Sequence, residues 1–473
     1  MTVILVFFTL VIGLMQLIFF SFRVLLQNRD PAKTVIWLVI TATPVVGIIV
    51  YFFFGRSVQR YNKKARRSKL NEPGITQKSR LTKADSLLED QGFTKQKLVR
   101  LLLNNTAAPL TANNQATVLA NGQKTFHALF AAMEQAKHHI HLEYYIFRQD
   151  RIGKELIELL TRKAKAGVEV RLLVDGWGSR ELKGIIEDLN KVGVETAWFL
   201  PLKLSFLSKL NLRNHRKIVI VDGKIGFTGG LNIGDEYLSR SKQYGYWRDT
   251  FIKLEGDCVH TLQNIFLQDW KLATKRELHG RSYYPRLDNM GNKLIQVAAS
   301  GPDSGWESIL QVFFAAAAGA KRSIYIQTPY FIPDDSTMMA LKTAALSGLD
   351  VKLLCQGVPD HYLTFWASRS YYEDLLKAGV HVYQYMKGIL HAKVLIVDGE
   401  IASVGSTNFD IRSFRLNFEI NACVYDREFA QQLERDFSND LAESREILLK
   451  EYGQRPLIVR FKESTCRLLS PLL

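Results

Sequence analysis

A ten-residue sequence motif occurs twice in this chain and constrains its fold more than any other feature. The first copy is NHRKIVIVDG at Asn214–Gly223, and the second is LHAKVLIVDG at Leu390–Gly399. Each continues into a related run, FTGGLN at Phe227–Asn232 and SVGSTN at Ser403–Asn408. Both contain H-x-K-x4-D, which is His215, Lys217 and Asp222 in the first copy and His391, Lys393 and Asp398 in the second. Such a repeat indicates two similar structural units.

Each copy of the motif has the pattern of a β-hairpin. An apolar strand is followed by Asp-Gly, which signals a two-residue type I′ turn because both central residues need positive φ. With Asp398-Gly399 as that turn, His391 is expected to lie opposite Ser406, with Asn408 diagonal to it. The second hairpin is therefore expected to present these polar side chains together.

The same construction in the first copy places His215 opposite Gly230, with Asn232 diagonal to it. Residues two apart share a strand face, so each hairpin is predicted to present His, Lys and Asn on one face. Asp222 and Asp398 have the opposite parity and lie in the turns. The spacing therefore favours a structural role for both aspartates, with a catalytic role as the alternative.

Imidazole, ammonium and amide groups in this arrangement suit chemistry on a phosphate ester. Lysine and asparagine can hold the non-bridging oxygens and stabilise charge in the transition state. One histidine can attack phosphorus while a second protonates the leaving oxygen, and the two copies supply both. No metal is expected, because a lysine two residues from each histidine would repel it. The alternative is a pair of core hairpins with incidental polar residues.

A further repeat precedes the motifs and indicates the fold class. AKHHIHLEYYIF at Ala136–Phe147 parallels AKRSIYIQTPYF at Ala320–Phe331, and VRLLVDG at Val170–Gly176 parallels VKLLCQG at Val351–Gly357. Apolar spacing predicts a helix over Lys154–Ala166. Strands that alternate with helices predict an α/β fold. We expect two α/β/α sandwich halves, related by a pseudo-two-fold axis that brings the hairpins together.

Two uncharged apolar runs, Val3–Phe22 and Thr34–Phe54, lie near the N-terminus. Each is long enough to cross about 30 Å of hydrocarbon, so we predict two transmembrane helices; a cleaved signal peptide and a buried core helix are the alternatives. Basic residues without acids at 56–69 favour a cytoplasmic catalytic part and suit anionic headgroups. The predicted domains are a transmembrane hairpin (1–55), a basic juxtamembrane linker with a short helix near Lys95–Leu103 (56–116), a first half (117–290) and a second half (291–473).

The composition agrees with an anionic partner. The chain has 473 residues, enough for two domain-sized units, and a net charge of +16. This charge suits nucleic acid or an anionic membrane surface. The four cysteines show no metal-binding spacing, which favours a reducing compartment.

The paired motif resembles that of the phospholipase D superfamily, and the sequence around it is similar to that of bacterial cardiolipin synthases. The resemblance rests on RNHRKIVIVDG, GFTGGLNIGDEY, YWRDT and STNFDIRSF and covers nearly the whole chain. It implies one active site built from two halves, with phosphatidylglycerol as substrate and cardiolipin and glycerol as products. It favours His215 as the nucleophile, although the residues alone do not decide between His215 and His391. The candidate catalytic residues are the His, Lys and Asp of both motifs, and the candidate phosphate-binding residues are Asn232, Ser406 and Asn408.

An acid after each motif is expected to orient the motif's histidine through the second ring nitrogen. Glu419 in NFEI stands at the spacing of the superfamily's carboxylate and is assigned to His391. The same offset in the first half gives Gln243, which is no anion. Asp249 in WRDT is therefore assigned to His215.

Four other features lead to separate expectations, and three of them leave alternatives open. Gly230 is expected to open space beside its histidine. The HHIH run at 138–141 predicts strand-end or surface histidines, with metal ligation as the alternative. The basic and apolar segment Pro201–Arg213 is either a lip that touches headgroups or an ordinary loop. The tail Pro456–Leu473 either lies in the membrane interface or packs on its own domain.

Other functions are compatible with the same motif. A phospholipase D-type hydrolase would use water as the acceptor. A nuclease or phosphodiesterase is compatible with the charge, but the predicted membrane anchor disfavours it. A non-catalytic binding module for anionic lipids or nucleic acid is disfavoured by two intact motifs. We expect phosphatidylglycerol and an anionic membrane surface as partners, no nucleic acid, no cofactor, and a location at the cell membrane.

Overall fold

A computed structural model describes residues 92–106, 108–201 and 211–470, with Ser86, Leu87 and part of a helix within residues 11–19. The second predicted span, most of the first, the basic run at 56–69 and most of the segment after Pro201 lie outside the described residues. Within the described part of the chain, the structure contains no helix with the length and apolarity needed to cross a membrane.

The first half alternates strands and helices, as the repeat predicted. Short 3-10 helices lie at Arg180–Gly184, Asp235–Leu238 and Arg281–Tyr283. The other elements are α1 (Phe93–Thr106), β1 (Asn114–Ala120), α2 (Asn121–Glu134), β2 (His139–Tyr144), α3 (Arg151–Lys165), β3 (Glu169–Asp175), α4 (Ile186–Lys191), β4 (Val194–Phe199), β5 (Arg213–Asn214), β6 (Ile218–Val221), β7 (Ile225–Gly229), β8 (Tyr246–Arg248), β9 (Thr250–Gly256) and α5 (Cys258–Thr274).

The second half repeats this order and adds elements at its end. Its elements are β10 (Ile295–Ser300), α6 (Ser308–Ala318), β11 (Ser323–Gln327), β12 (Phe331–Ile332), α7 (Asp335–Leu346), β13 (Asp350–Gln356), α8 (Tyr362–Arg369), α9 (Tyr372–Lys377), β14 (His381–Tyr385), β15 (Gly388–Leu390), β16 (Val394–Val397), β17 (Ile401–Gly405), β18 (Phe409–Asp410), α10 (Ile411–Arg415), β19 (Asn417–Val424), α11 (Arg427–Ala442), β20 (Ser444–Ile447), α12 (Leu449–Gly453) and α13 (Leu457–Arg467).

The two halves form sheets with equivalent strand orders. The first sheet runs β1-β9-β7-β6-β2-β3-β4, and the second runs β10-β19-β17-β16-β11-β13-β14-β20. In each sheet three consecutive strands are parallel, β2-β3-β4 in the first and β11-β13-β14 in the second. The predicted pair of α/β halves is therefore confirmed.

Helix α5 of the first half and helix α11 of the second half pack at the contact between the two halves. Leu262 and Phe266 of α5 share one apolar core with Leu433 and Phe437 of α11, and this core includes strands of both sheets. The helix expected near 95–103 exists as α1, but it packs against α6 of the second half. This part of the predicted linker thus belongs to the folded core.

The sequence predicted the position of helix α3 closely. Helix α3 covers the predicted Lys154–Ala166 except for its last residue, and it begins three residues earlier, where the side chain of Asp150 accepts a hydrogen bond from the Gly153 backbone at 3.2 Å. It ends before Gly167, whose φ of +88° is favourable for glycine.

The predicted hairpins form, but with a register shifted by one residue. Asp222 and Gly223 both have positive φ, as does the equivalent pair in the second half, and this agrees with a type I′ turn. However, Val221 pairs with Ile225, so Lys224 is an extra residue between turn and strand. The second hairpin does the same at Glu400. The expected pairing of each histidine with Gly230 or Ser406 is therefore wrong by one position.

Candidate active site

Strands exchanged between the halves build the site. Strand β5, which leads into His215, pairs in parallel with β19 of the second half. Strand β15, which leads into His391, pairs in parallel with β8 of the first half. The His215 backbone N–H donates to the carbonyl oxygen of Phe418 at 2.9 Å, and that of His391 donates to Arg248 at 2.7 Å. Each motif histidine is thus fixed beside a strand of the opposite half.

This exchange reverses the predicted pairing of acids and histidines. The Nδ1 atom of His215 lies 2.9 Å and 3.1 Å from the two carboxyl oxygens of Glu419. The Nδ1 atom of His391 lies 2.9 Å from Oδ2 of Asp249. The two acids are the predicted ones, but each one contacts the histidine of the other half.

The contacts at Nδ1 decide which ring nitrogen can react. A carboxylate that accepts from Nδ1–H leaves Nε2 as the nitrogen available for chemistry. Both histidines are 8% exposed. Aromatic rings flank them, with Tyr145 edge-on to His215 at 5.2 Å between centroids and Trp247 tilted against His391 at 5.3 Å. Each imidazole ring is therefore packed against an aromatic side chain of the first half.

The two orienting acids are held differently. Glu419 is fully buried and accepts hydrogen bonds from Ser406 Oγ and, at 3.2 Å, from Asn417. Asp249 accepts from the backbone N–H of Thr250 at 2.7 Å. Ser406 therefore acts on an acid of its own half in this structure, and this contact is not a substrate contact.

The predicted open space at Gly230 is absent. A Cβ atom at this position would overlap Oδ1 and the carboxyl carbon of Asp249. Asp249 is one methylene shorter than Glu419, and its carboxyl group occupies the place that a serine side chain takes in the second half. Gly230 therefore makes room for the acid of His391 and does not open space for a substrate.

Both motif lysines are buried beneath the histidines. Lys217 Nζ donates to the carbonyl oxygen of His215 at 2.6 Å, and Lys393 makes the equivalent bond to His391. An ammonium group has three N–H donors, so this bond aims the group without using all of its donors. Each lysine thus contacts the backbone of the histidine in its own motif.

Burial and like charge set the electrostatics of the site. Burial, together with Lys217 and Lys393, lowers the pKa of His215 well below its usual value. Burial also lowers the pKa of His391, but Asp249 opposes this shift. Burial lowers the pKa of Lys217 to about 7 and that of Lys393 to about 8. The site therefore contains an imidazole held neutral beside two lysines whose charged ammonium form a bound anion would stabilise.

Glu419 shows the opposite shift. Burial raises its pKa to about 7, although Lys217 and Lys393 act against the shift. Its proton is therefore exchangeable near neutral pH. Glu419 and His215 are therefore two titratable groups in direct contact.

The motif aspartates lie in the hairpin turns and bind backbone. Asp222 accepts hydrogen bonds from the N–H groups of residues 137–139 at 2.8–2.9 Å. Asp398 accepts from the N–H groups of residues 321–323 at 2.7–3.1 Å. Each aspartate thus fixes the start of the neighbouring strand, β2 or β11. This is the structural role that the spacing favoured.

The two candidate asparagines differ. Asn232 accepts from the backbone N–H of Ile146 at 3.2 Å and donates to the Tyr237 hydroxyl at 3.0 Å, so most of its capacity is used. Asn408 contacts the carboxyl group of Asp410. Its buried Oδ1 has no hydrogen-bond partner within the described part of the chain. Asn408 is therefore the better placed of the two to accept from a substrate hydroxyl.

Two buried arginines support the acids and were not predicted. Arg216 pairs with Asp269 of α5 and donates to the carbonyl oxygen of Glu419 at 3.1 Å. Arg248 places Nε 2.8 Å from both carboxyl oxygens of Asp440 in α11 and also contacts the carbonyl oxygen of Asp249. Arg216 directly follows His215 and Arg248 directly precedes Asp249, and these positions inside the motifs were a signal in the sequence because a buried guanidinium requires a buried partner.

Arg412 was also missed. Its charge helps to lower the pKa of His215, and its Nη1 donates to Oδ1 of Asn211 at 2.8 Å. It lies in the run STNFDIRSF, and the residue at the equivalent place in the first half is Glu236, which pairs with Arg148. The site therefore has an extra positive charge on one side only.

The predicted surface histidines are buried. His139 and His141 are fully buried on β2, where Gln263 contacts both of them within 3.0 Å. Burial lowers the pKa of His139 to about 4. Phe266 stacks on His141. The alternation in HHIH correctly predicted that His139 and His141 share one face of β2, but helix α5 covers this face.

No cluster of three or more histidine, cysteine or acidic side chains that could hold a metal ion occurs among the residues described. The four cysteines are buried and free.

The fold and the paired His-Lys motifs define a phospholipase D-like protein with one site at the contact of two halves. The family described as cardiolipin synthase, PLD-like domain, matches residues 129–270 and 314–441. The family described as phospholipase D-nuclease N-terminal matches residues 17–56. The chain belongs to the cardiolipin synthase family of phospholipase D-like proteins.

Named relatives agree with this assignment. A cardiolipin synthase of Geobacillus kaustophilus is 46% identical over 471 residues, covering 97% of this chain and 92% of that protein. The major cardiolipin synthase of Bacillus subtilis is 43% identical and covers 94% and 95% of the two chains. The crystal structure of a phosphatidylserine synthase from Haemophilus influenzae has the same fold, with a TM-score of 0.61, 13% identity, and coverage of 80% of this chain and 100% of that one.

Proposed function

We propose that this protein is a cardiolipin synthase. It transfers a phosphatidyl group from one phosphatidylglycerol to another, with cardiolipin and glycerol as products. The observation that carries the proposal is the pair of buried histidines, each held at Nδ1 by a carboxyl group of the opposite half. The names of relatives 43–46% identical over nearly the whole chain support the same substrate class.

In the first step, Nε2 of His215 attacks the phosphorus of one phosphatidylglycerol. The bond from phosphorus to the glycerol oxygen breaks, and His391 gives its Nε2 proton to that oxygen, so neutral glycerol leaves. The lower pKa of His215 supports its role as the neutral nucleophile, and Asp249 supports His391 as the acid because it stabilises the imidazolium.

In the second step, a glycerol hydroxyl of another phosphatidylglycerol attacks the phosphatidyl-histidine. His391 accepts the hydroxyl proton, the phosphorus–nitrogen bond breaks, and His215 is regenerated. Because His391 regains the proton that it lost, one site performs both steps.

Lys217 and Lys393 hold the non-bridging oxygens and stabilise the charge that develops on them. Asn408 accepts a hydrogen bond from the glycerol, while Asn232 and Ser406 position their neighbours. Asp222 and Asp398 keep the hairpins in place and do not touch the reacting atoms. No metal or cofactor enters this scheme.

A membrane location follows from the same proposal. We assign residues 1–55 to a two-span anchor on the basis of their apolar runs and of the family match at 17–56. Residues 56–116 connect this anchor to the cytoplasmic halves at 117–290 and 291–473. A lipid acceptor is favoured over water because the anchor keeps the site at the bilayer surface.

The test uses the purified full chain in vesicles of phosphatidylglycerol without divalent metal, with lipid products followed by mass spectrometry. Cardiolipin and glycerol are expected, and His391→Ala is expected to form neither. The matched control is His381→Ala, because that histidine is exposed on β14. Phosphatidic acid as the main product would identify a hydrolase, and turnover of oligonucleotides alone would identify a nuclease; either result would overturn the proposal.

A further inference from the structure

Helix α13 has two opposite faces, and only one of them contacts the protein. On the inner face, Glu463 accepts hydrogen bonds from Arg369 Nε at 3.0 Å and from Arg455 Nε at 2.7 Å. Cys466 is buried on the same side, and Ser470 is hydrogen-bonded to Tyr371 at 3.0 Å. The tail thus packs back on its own domain, which was one of the two alternatives.

The outer face is apolar and open. Four large side chains are between 60% and 79% exposed, namely Leu457, Ile458, Phe461 and Leu468. At about 100° per residue, they fall within about 100° of arc, opposite Glu463 and Cys466. Exposed apolar stripes of this kind mark surfaces that bind other molecules.

Positive charge borders this stripe on both sides. On the same helical projection Arg460 and Arg467 lie along one edge and Lys462 along the other, and all three are exposed. The only acid of α13 is the buried Glu463. An apolar stripe between basic edges is the pattern of a helix that lies in an anionic membrane interface.

The same surface continues toward the loops that follow β3 and β13 beside the two motifs, which we call the mouth of the site. Helix α8, which packs against α13, exposes Tyr362 and Leu363 at its first turn. It follows the carboxyl end of β13 after a short connection that contains Asp360. The Asp360 carboxyl group binds the Tyr330 hydroxyl, and its charge acts on His391. The apolar surface therefore begins beside the second motif.

The first half has a matching feature. Trp177 follows the equivalent strand β3 and is exposed, with the guanidinium groups of Arg180 and Arg213 5.8 Å and 5.6 Å from its ring. Asp175 connects this loop to the first motif, because it accepts from the Asn214 backbone at 3.0 Å. Aromatic and cationic groups thus flank the mouth on both sides.

We propose that the outer faces of α13 and α8, with Trp177, form a docking face that lies on an anionic lipid bilayer and turns the mouth of the site toward it. The charge pattern selects this occupant, because a second copy of the chain would bring the same basic edges together. This inference rests on the proposed function in one respect: the docking face serves a lipid substrate, which must enter from the bilayer.

The experiment places one label on the docking face of the full chain. Phe461→Cys and, separately, Leu457→Cys are labelled with bimane, which is selective because the native cysteines are buried. The proteins are reconstituted in vesicles of phosphatidylglycerol and phosphatidylcholine with spin-labelled lipid. The control is Leu346→Cys, 72% exposed at the end of α7, near the start of β13 and away from the mouth.

We expect quenching at 461 and 457 at least threefold stronger than at 346, with a decrease when phosphatidylcholine replaces phosphatidylglycerol or salt is raised. Quenching equal to that of the control, quenching insensitive to lipid charge, or energy transfer between labelled copies in place of lipid quenching would each overturn the proposal. Cardiolipin formation is measured on the same vesicles. Turnover without quenching rejects only the docking face, and quenching without turnover rejects only the proposed synthase.

Discussion

Asp249→Asn tests the exchange of acids between the halves. The substitution keeps the shape of the side chain but removes the charge that lies 2.9 Å from Nδ1 of His391. A hydrogen bond to a charged group contributes about 1.5–3 kcal/mol, so the loss of stabilisation of the imidazolium should slow glycerol departure about 10- to 150-fold. Asp249 also opposes the fall in the pKa of His391. The basic limb of the pH–rate profile should therefore move to lower pH.

The assay separates the two histidines by leaving group. A phosphatidyl nitrophenyl ester needs no proton on its departing oxygen, so the burst of nitrophenolate reports only the attack by His215. Asp249→Asn should restore a near-normal burst with this ester, as should His391→Ala, whereas the matched variant Glu419→Gln should remain slow. If Asp249→Asn remained as slow as Glu419→Gln with this ester, Asp249 would serve His215, and the exchange would be wrong.

Three further predictions follow from the packing. Gly230→Ala should reduce cardiolipin formation at least tenfold because the added methyl group displaces the Asp249 carboxyl group, whereas Gly453→Ala, with open space around it, should not. His139 should contribute up to about 3 kcal/mol to the loss of unfolding free energy between pH 6.5 and about 4, since its depressed pKa means that the unfolded chain takes up the proton first; His139→Gln should remove this part of the pH dependence in urea titrations and leave the part that other buried histidines such as His141 contribute. Asp440→Ala should cost about 3–5 kcal/mol in urea unfolding, because it leaves a buried guanidinium without its carboxylate.

Each of these has a contrary outcome. Equal activity of both glycine variants would show that the Asp249 carboxyl group can move without loss. An unchanged pH dependence in His139→Gln would assign acid unfolding to other groups. Wild-type stability of Asp440→Ala would mean that solvent or Gln327 replaces the missing contact.

Local and repeated features were predictable from the sequence. Strand and helix alternation gave the two α/β halves, and the H-x-K spacing gave both histidine–lysine pairs, because these depend on residues close together in the chain. Asp222 and Asp398 have the opposite parity to the motif histidines and were therefore predicted to lie in the turns, where they bind backbone.

Features that depend on distant parts of the chain were not predictable. Glu419 lies 204 residues from His215, and their contact depends on the pairing of β5 with β19. Nothing local in either segment specifies that pairing. The hairpin register failed because Lys224 adds one residue after the turn.

Burial caused the remaining errors. His139 has the sequence context of a strand-end histidine, but α5 covers it with Gln263. Gly230 was expected to leave space, and the shorter acid Asp249 fills that space. Both errors arise from side chains that pack from another element.

The most direct test of the central claim is to identify the residue that carries the phosphatidyl group during turnover. The full chain in phosphatidylglycerol vesicles is quenched with denaturant at mildly basic pH, which preserves both the phosphorus–nitrogen bond and the acyl esters, and is then digested and mapped by mass spectrometry, with His215→Ala as the control. A phosphatidyl adduct is expected on the peptide that contains His215 and none on the peptide of His391. An adduct on His391, or turnover to cardiolipin with His215→Ala at the normal rate, would contradict the central claim.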